Sequence, residues 1–351
     1  MKIALKDKIW GSFAGLAIGD AMGMPFHELT PEEIRARCGG LVTTFFEIFD
    51  DEFIHIDFKK GQITDDTTLT IVTARAILKY GRQISSEQFV QELAHWVKNN
   101  QDVWQHGNVY GPSTKAAFIN YINGKFDAHL NQKRSWCYTG TSNGSIMRVS
   151  PAGWAYPGRW QEAVELACNV ILPTHPTDVA LSAAAGQAAA ISQALTPGAT
   201  ISSVIDAALA GVKLGEDFGK KLARQTSQRY PLPNLELALD LAEKAKDPFE
   251  ASNLIRRSIG SHFHASETLS TAFGIFYAAK GDPKSSIIAA VNNGSDSDTI
   301  ASIVGALTGA LHGISALPKD WVNTVEDVNH LHCAQLAEEF AALPDAEFKI
   351  K

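Results

Sequence analysis

Residues 11–23 read GSFAGLAIGDAMG, with Gly11, Gly15, Gly19 and Gly23 at every fourth position. Residues at i and i+4 share one face of a helix, so a helix through this stretch carries a stripe without side chains. Each glycine weakens a helix by about 1 kcal/mol relative to alanine, so the run implies close backbone packing that compensates. The same spacing returns near the other end of the chain, at Gly305, Gly309 and Gly313. Two such helices in close approach would bring Asp20 and the acids before Gly305 into one neighbourhood.

Working outward, helical periodicity dominates. It predicts helices over 5–23, 66–80, 86–99, 112–122, 160–172, 177–195, 202–225, 234–246, 266–280, 283–292, 298–313 and 331–342. Breaks fall at Gly81, Pro112, Pro151, Pro173 and Pro197, as their backbone chemistry requires. The β-branched and aromatic residues of 41–48 and 53–58 flank an acidic turn and predict a small β-hairpin, near 41–58, inserted between helices. Strands and helices do not alternate, which disfavours a Rossmann or barrel fold. The expectation is an all-α chain forming one domain over 1–351, without a low-complexity linker.

The chain has 351 residues and a formal net charge of −7. No Lys/Arg-rich run appears, which disfavours a nucleic-acid-binding surface. Cys38, Cys137, Cys168 and Cys333 are scattered, a pattern that suits a reducing cytoplasm and no thiolate metal site. The N-terminal stretch has no continuous apolar run, so no signal peptide is expected, and no membrane span is expected either.

The chemistry concentrates in two acidic segments. Thr64, Asp65, Asp66 and Thr67 open an apolar helix, where threonine is a fair cap and acids complement the helix dipole. Asp296, Asp298 and Thr299 repeat that grammar before a second apolar helix. Two segments with paired acids and an adjacent threonine suggest a shared site more than two separate caps. Four gathered carboxylates raise one another's pKa unless cations neutralise them. Hard oxygen ligands favour Mg²⁺, Mn²⁺ or Ca²⁺ over Zn²⁺.

Competing motifs fit less well. Asp296-Ser-Asp298 lacks the glycine and distal glutamate of a calcium-binding loop, and no H-E-x-x-H or phosphate loop is present. Gly140-Thr-Ser142-Asn-Gly144 formally matches G-x-S-x-G, the nucleophile motif of serine hydrolases. That motif needs a strand before it and a helix after it, and neither is expected here.

Over most of its length the sequence resembles the ADP-ribosylglycohydrolase family. The resemblance runs through Gly15 to Gly23, Gly61 to Thr67, Asn143-Gly144-Ser-Ile-Met147-Arg148, Thr174-His175, and Asp296 to Ala301 with Gly305 and Gly309. It implies an all-α fold with two divalent cations, Mg²⁺ or Mn²⁺, in a cleft. By matched position, Thr64, Asp65, Asp66, Asp296, Asp298 and Thr299 would be metal ligands. Asn143, Gly144, Ser145 and Met147 would cradle ADP-ribose, with His175 near the bound nucleotide.

The reaction implied is hydrolysis at the ribose anomeric carbon of an ADP-ribosylated protein or ADP-ribose conjugate. Its transition state would be oxocarbenium-like, with Asp298 or Asp66 taking the proton of the attacking water. Two positions depart from the pattern. Where the family commonly carries a catalytic or gating glutamate this chain has His27, with Glu28 one residue later, so either is a candidate. Val109 stands where arginine-specific members carry an aspartate two residues before the glycine matched by Gly111. That leaves room for a smaller ribosylated substrate, against which Tyr110 could stack. The alternatives are a small-molecule N-ribosyl hydrolase on the same scaffold and a non-catalytic ADP-ribose binder.

Overall fold

The computed structural model describes residues 3–49, 58–100, 111–124 and 140–343. Among them every regular element is helical, and pairing between extended backbones is confined to two isolated bridges, Ser142 with His264 and Thr177 with Arg224. The fold is all-α. No helix among the described residues is long and apolar enough to cross a membrane.

The helix Leu5–Gly23 is buried along nearly its whole length and lies against the helix Ser297–His312. Their glycine stripes meet. A Cβ added at Gly15 would stand 2.2 Å from the Gly305 carbonyl oxygen, and one at Gly309 would stand 1.9 Å from that of Gly11. Toward the acids the same seam continues from Gly19 against Ala301 to Gly23 against Asp298, again closer than any side chain allows. The backbones therefore touch along the full contact, and dispersion over that length offsets the low helix propensity.

Around this pair, the alanine-rich helix Asp178–Ala194 is buried on nearly every face and packs against Ile201–Leu222. Its small side chains admit neighbours on all sides, which is why an uncharged run of this length belongs to a core.

The predicted hairpin does not appear among the described residues. Residues 41–49 are described and carry no strand, while 50–57 lie outside the described residues. Val42 and Phe45 are buried in the core, which accounts for the apolar composition. The backbone of Val42 pairs with the side chain of Asn292 instead of a strand: its N–H donates to Oδ1 at 2.9 Å, and its carbonyl accepts from Nδ2 at 2.8 Å.

Helices also form where periodicity predicts none, at Pro31–Cys38, Ser150–Ala155, Pro248–Ser258 and Lys319–Asn329. The first begins with a capping box between Thr30 and Glu33, a signal present in the sequence.

Candidate active site

The helix Asp65–Tyr80 starts at Thr64, whose hydroxyl accepts the N–H of Asp66 at 3.2 Å. The cap and the acids are thus one device: the cap fixes the turn that carries both carboxylates. Asp20, from the glycine-striped helix, holds this turn from behind. Its two carboxylate oxygens accept the Thr64 N–H at 3.1 and 3.0 Å, and Oδ2 also accepts the Thr67 N–H at 3.1 Å and hydroxyl at 2.5 Å. The sequence placed Asp20 in the neighbourhood but gave no sign of this bracing role.

The second acidic segment enters from the opposite side. Thr299 Oγ1 donates to Asp66 Oδ2 at 3.5 Å, and Thr64 Oγ1 donates to the same oxygen at 3.2 Å. Asp66 Oδ1 is buried without a hydrogen-bond partner. All six residues expected as ligands, Thr64, Asp65, Asp66, Asp296, Asp298 and Thr299, are buried. Asp65 and Asp66 each feel the charges of Asp20, Asp296 and Asp298, so the two segments do meet.

Electrostatics follow from that crowding. Burial first, then the neighbouring acids, pushes Asp65 and Asp66 well above the ordinary carboxylate value. Burial and Asp298 push Asp20 up to about 7 against the hydrogen bonds of Thr67 and Thr64. Burial and Asp298 raise Asp296 to about 6, although His27 opposes them.

His27 lies directly on this cluster. Its Nδ1 is 2.8 Å from Asp298 Oδ1 and 3.3 Å from Asp296 Oδ1. Burial alone would lower the imidazole, but the two carboxylates overcome it and hold His27 up at about 12. The reciprocal effect overcomes the burial of Asp298 and holds it below its ordinary value. Glu28 has left-handed backbone, with φ 65°, and turns its side chain outward. Its oxygens lie 3.6 Å from His27 Nε2 and 3.1 Å from His262 Nε2, on the far side of the imidazole from the aspartates.

The loop after Gly140 forms another wall. The Asn143 amide donates to Asp296 Oδ2 and, at 3.0 Å, to Thr268 Oγ1; its backbone N–H donates to the Phe263 carbonyl at 2.8 Å. Asn143 and Ser145 are buried in the short 3-10 turn Asn143–Ser145, with Gly144 between them, and the carbonyl of Met147 accepts from Thr70 at 3.2 Å. His175 is 1% exposed and lies behind this loop: a Cβ at Gly144 would stand 3.0 Å from its Nε2. Gly111 caps the helix Pro112–Ile122, and no described contact joins it to the acids. Tyr110 and Val109 lie outside the described residues.

The donor set suits a hard divalent cation: carboxylate and hydroxyl oxygens, an acceptor no protein donor satisfies, and acids too close to remain ionised unaided. His27, Asp296 and Asp298 also offer ligand atoms within 4.8 Å of one another, a combination that sequence spacing did not reveal.

A helical scaffold whose two glycine-seamed helices carry a buried carboxylate centre defines the class of protein. The chain belongs to the ADP-ribosylglycohydrolase family, whose model matches residues 1–348, and it is a hydrolase of glycosyl bonds. It is 29% identical to the Escherichia coli protein YegU over 95% of this chain and 96% of that one. It is 25% identical to the ADP-ribosyl-[dinitrogen reductase] glycohydrolase of Rhodospirillum rubrum, with 92% of each chain covered. It is 23% identical to the ADP-ribosylarginine hydrolase Tri1 of Pseudomonas putida, over 95% of this chain and 77% of that one. A solved structure titled ADP-ribosylglycohydrolase-related protein complex shares the fold, with a TM-score of 0.65 and 23% identity, covering 97% of this chain and 98% of that one.

Proposed function

We propose that this protein is a metal-dependent hydrolase that cuts the glycosidic bond at the ribose anomeric carbon of an ADP-ribosylated protein or ADP-ribose conjugate. The observation that carries the reading is the meeting of Asp65 and Asp66 with Asp296 and Asp298 in a buried cluster, with Asp66 Oδ1 left without a donor. The names of the Rhodospirillum rubrum and Pseudomonas putida relatives support the substrate class.

Thr64, Asp65, Asp66, Asp296, Asp298 and Thr299 would hold two divalent cations, Mg²⁺ or Mn²⁺, and His27, an imidazolium while it pairs with Asp296 and Asp298, would become a donor only on losing its Nδ1 proton. When bound, such cations neutralise the carboxylates and supply Lewis acidity toward water and the ribose hydroxyls. In the reaction the water oxygen joins the anomeric carbon, the bond to the aglycone breaks, and the aglycone leaves with a proton. Asp66 is the better candidate to take the water's proton, because Asp298 is committed to His27 at 2.8 Å. Asn143 restrains Asp296 and so supports the cluster from the loop side. Glu28, turned toward His262, is better suited to the rim than to the reacting bond.

The test is a substrate panel on chelator-stripped protein, with and without added Mg²⁺ or Mn²⁺. ADP-ribosylated arginine and serine peptides would be compared with free nucleosides. Turnover of a peptide conjugate that returns with metal is expected. Full activity after stripping would overturn the metal assignment, and turnover confined to nucleosides would replace the substrate class with small-molecule N-ribosides.

A further inference from the structure

Asn329 ends the helix Lys319–Asn329, and its amide uses both its donors and its acceptor. Oδ1 accepts the Ile63 N–H at 3.1 Å. Nδ2 donates to the Gly61 carbonyl at 2.8 Å and to the Val325 carbonyl, one turn back, at 2.9 Å. Two carbonyls on one side and an N–H on the other fix which way round the amide lies. Gly61 has left-handed backbone, with φ 84°, and a Cβ there would stand 2.7 Å from Thr324 Cγ2, so the chain presses on the same helix. The next N–H, that of Thr64, is accepted by Asp20 instead. The turn that carries Asp65 and Asp66 is therefore entered from backbone gripped first by Asn329 and then by Asp20.

Asn329 also belongs to the stretch that carries the second acid pair. The helix Ser297–His312 starts at those acids and runs about 24 Å away from them. The short 3-10 turn Ile314–Ala316 follows, and the helix Lys319–Asn329, about 16 Å long, leads back to Gly61 and Ile63. One continuous stretch, residues 296–329, thus supplies Asp296 and Asp298 at one end and grips the approach to Asp65 and Asp66 at the other. Its last turn is tied down by Glu326, whose carboxylate accepts the N–H groups of His332 and Cys333 at 3.0 Å each. The three hydrogen bonds of the Asn329 side chain all end on backbone atoms, so its effect on the acids passes through the turn.

We propose that Asn329 is a positioning residue for the cation centre. By clasping Gly61 and Ile63 it sets the entry of the cap turn at Thr64, and so the placement of Asp65 and Asp66 against Asp296 and Asp298. The cation rests on the function proposed above; the clasp does not.

Two measurements separate these. In full-length metal-free protein, amide hydrogen exchange of Asn329→Ala should quicken about tenfold at Ile63, Thr64 and Asp66, the scale of one lost hydrogen bond. Ser182→Ala, which removes a hydrogen bond to the Val212 carbonyl at 2.8 Å between two other helices, gives the comparison for a general loss of stability. Faster exchange confined to Ile63 would overturn the proposal, since the clasp would then hold nothing beyond itself. In calorimetric titration, Asn329→Ala should bind Mn²⁺ about ten- to a hundredfold more weakly than the wild type, as losses of groups behind a ligand do. Ser182→Ala should keep the wild-type affinity. Wild-type affinity in Asn329→Ala would also overturn the proposal, because a merely structural asparagine lowers stability and spares binding. Where Asn329→Ala does not fold, Asn329→Asp, which keeps the size and loses both donations, carries the same comparisons. If the wild type binds no Mn²⁺, the cation reading falls while the exchange measurement still decides the clasp.

Discussion

Thr299 and Asp66 are separated by 233 positions in the chain, yet Thr299 Oγ1 donates to Asp66 Oδ2 at 3.5 Å. Each belongs to the first turn of its own helix, and each helix start carries a pair of acids. The contact joins two helix N-termini, whose positive ends both favour negative charge. That favour is small beside the mutual repulsion of buried carboxylates, and in the proposed function a cation supplies the balance.

Removing either half of the cluster should therefore remove cation binding. Asp65→Asn and Asp298→Asn are each expected to lower turnover by about a thousandfold or more, as losses of metal-centred catalysis do. Calorimetric titration with Mn²⁺ should show the corresponding loss of binding. A variant that kept both turnover and binding would remove its residue from the centre.

Metal-free protein should become less stable as pH rises. Asp20 and Asp296 have folded-state values raised to about 7 and about 6 from 3.8. A raised acid contributes its stability fully below the unfolded value, and the contribution is lost as pH climbs through the folded value. Thermal unfolding of stripped protein should thus weaken from about pH 4 toward 8. A cation at about a hundredfold its Kd should restore about 2.7 kcal/mol, roughly 4 °C in a chain of this size. The effect should be larger at high pH, where fewer protons compete. A stripped protein that grew more stable over the same range would contradict the reading of the cluster.

Gly305→Ala reverses the usual expectation for a helix. Propensity alone would credit alanine with about 1 kcal/mol of stability. The added Cβ would instead stand 2.0 Å from the Gly15 carbonyl oxygen, a backbone atom that cannot turn aside. Destabilisation of about 3 kcal/mol is expected, measured by urea unfolding, with weaker metal binding because the seam runs on to Asp298. Neutral or increased stability would show that the seam is loose.

Thr67→Val tests the brace behind the acids. The substitution keeps the shape and removes the hydroxyl that donates to Asp20 Oδ2 at 2.5 Å. A hydrogen bond to a buried charge is worth about 1.5–3 kcal/mol. The melting temperature should fall accordingly, and Asp20 should titrate still higher, because that hydrogen bond opposes its upward shift. An unchanged Asp20 titration would detach Thr67 from the brace.

Much of the candidate site was legible because its residues announce themselves locally. Asp65 and Asp66, and Asp296 and Asp298, stand at helix starts before apolar runs, and glycines at every fourth position signal the seam that brings them together. Asp20 was harder to read, since a single acid in an apolar helix looks the same whether it holds a cation, a water or a backbone turn. Arg148 and Thr174 were invisible as a pair, because 26 positions separate them and burial gives meaning to their contact. Residues 41–49 misled for the opposite reason. Their composition is that of a strand, but the groups answering the backbone of Val42 belong to the side chain of Asn292, and no pattern in the nearby sequence announces that.

The seam of Gly15 against Gly305 also sets a timetable. During synthesis Asp66 emerges 233 residues before Thr299, on the order of ten to fifty seconds at ordinary rates of elongation. Through that interval the partner of the first helix's glycine face does not yet exist, and neither do Asp296 and Asp298. The acids of the two segments can therefore meet only after the last glycine-striped helix has been made.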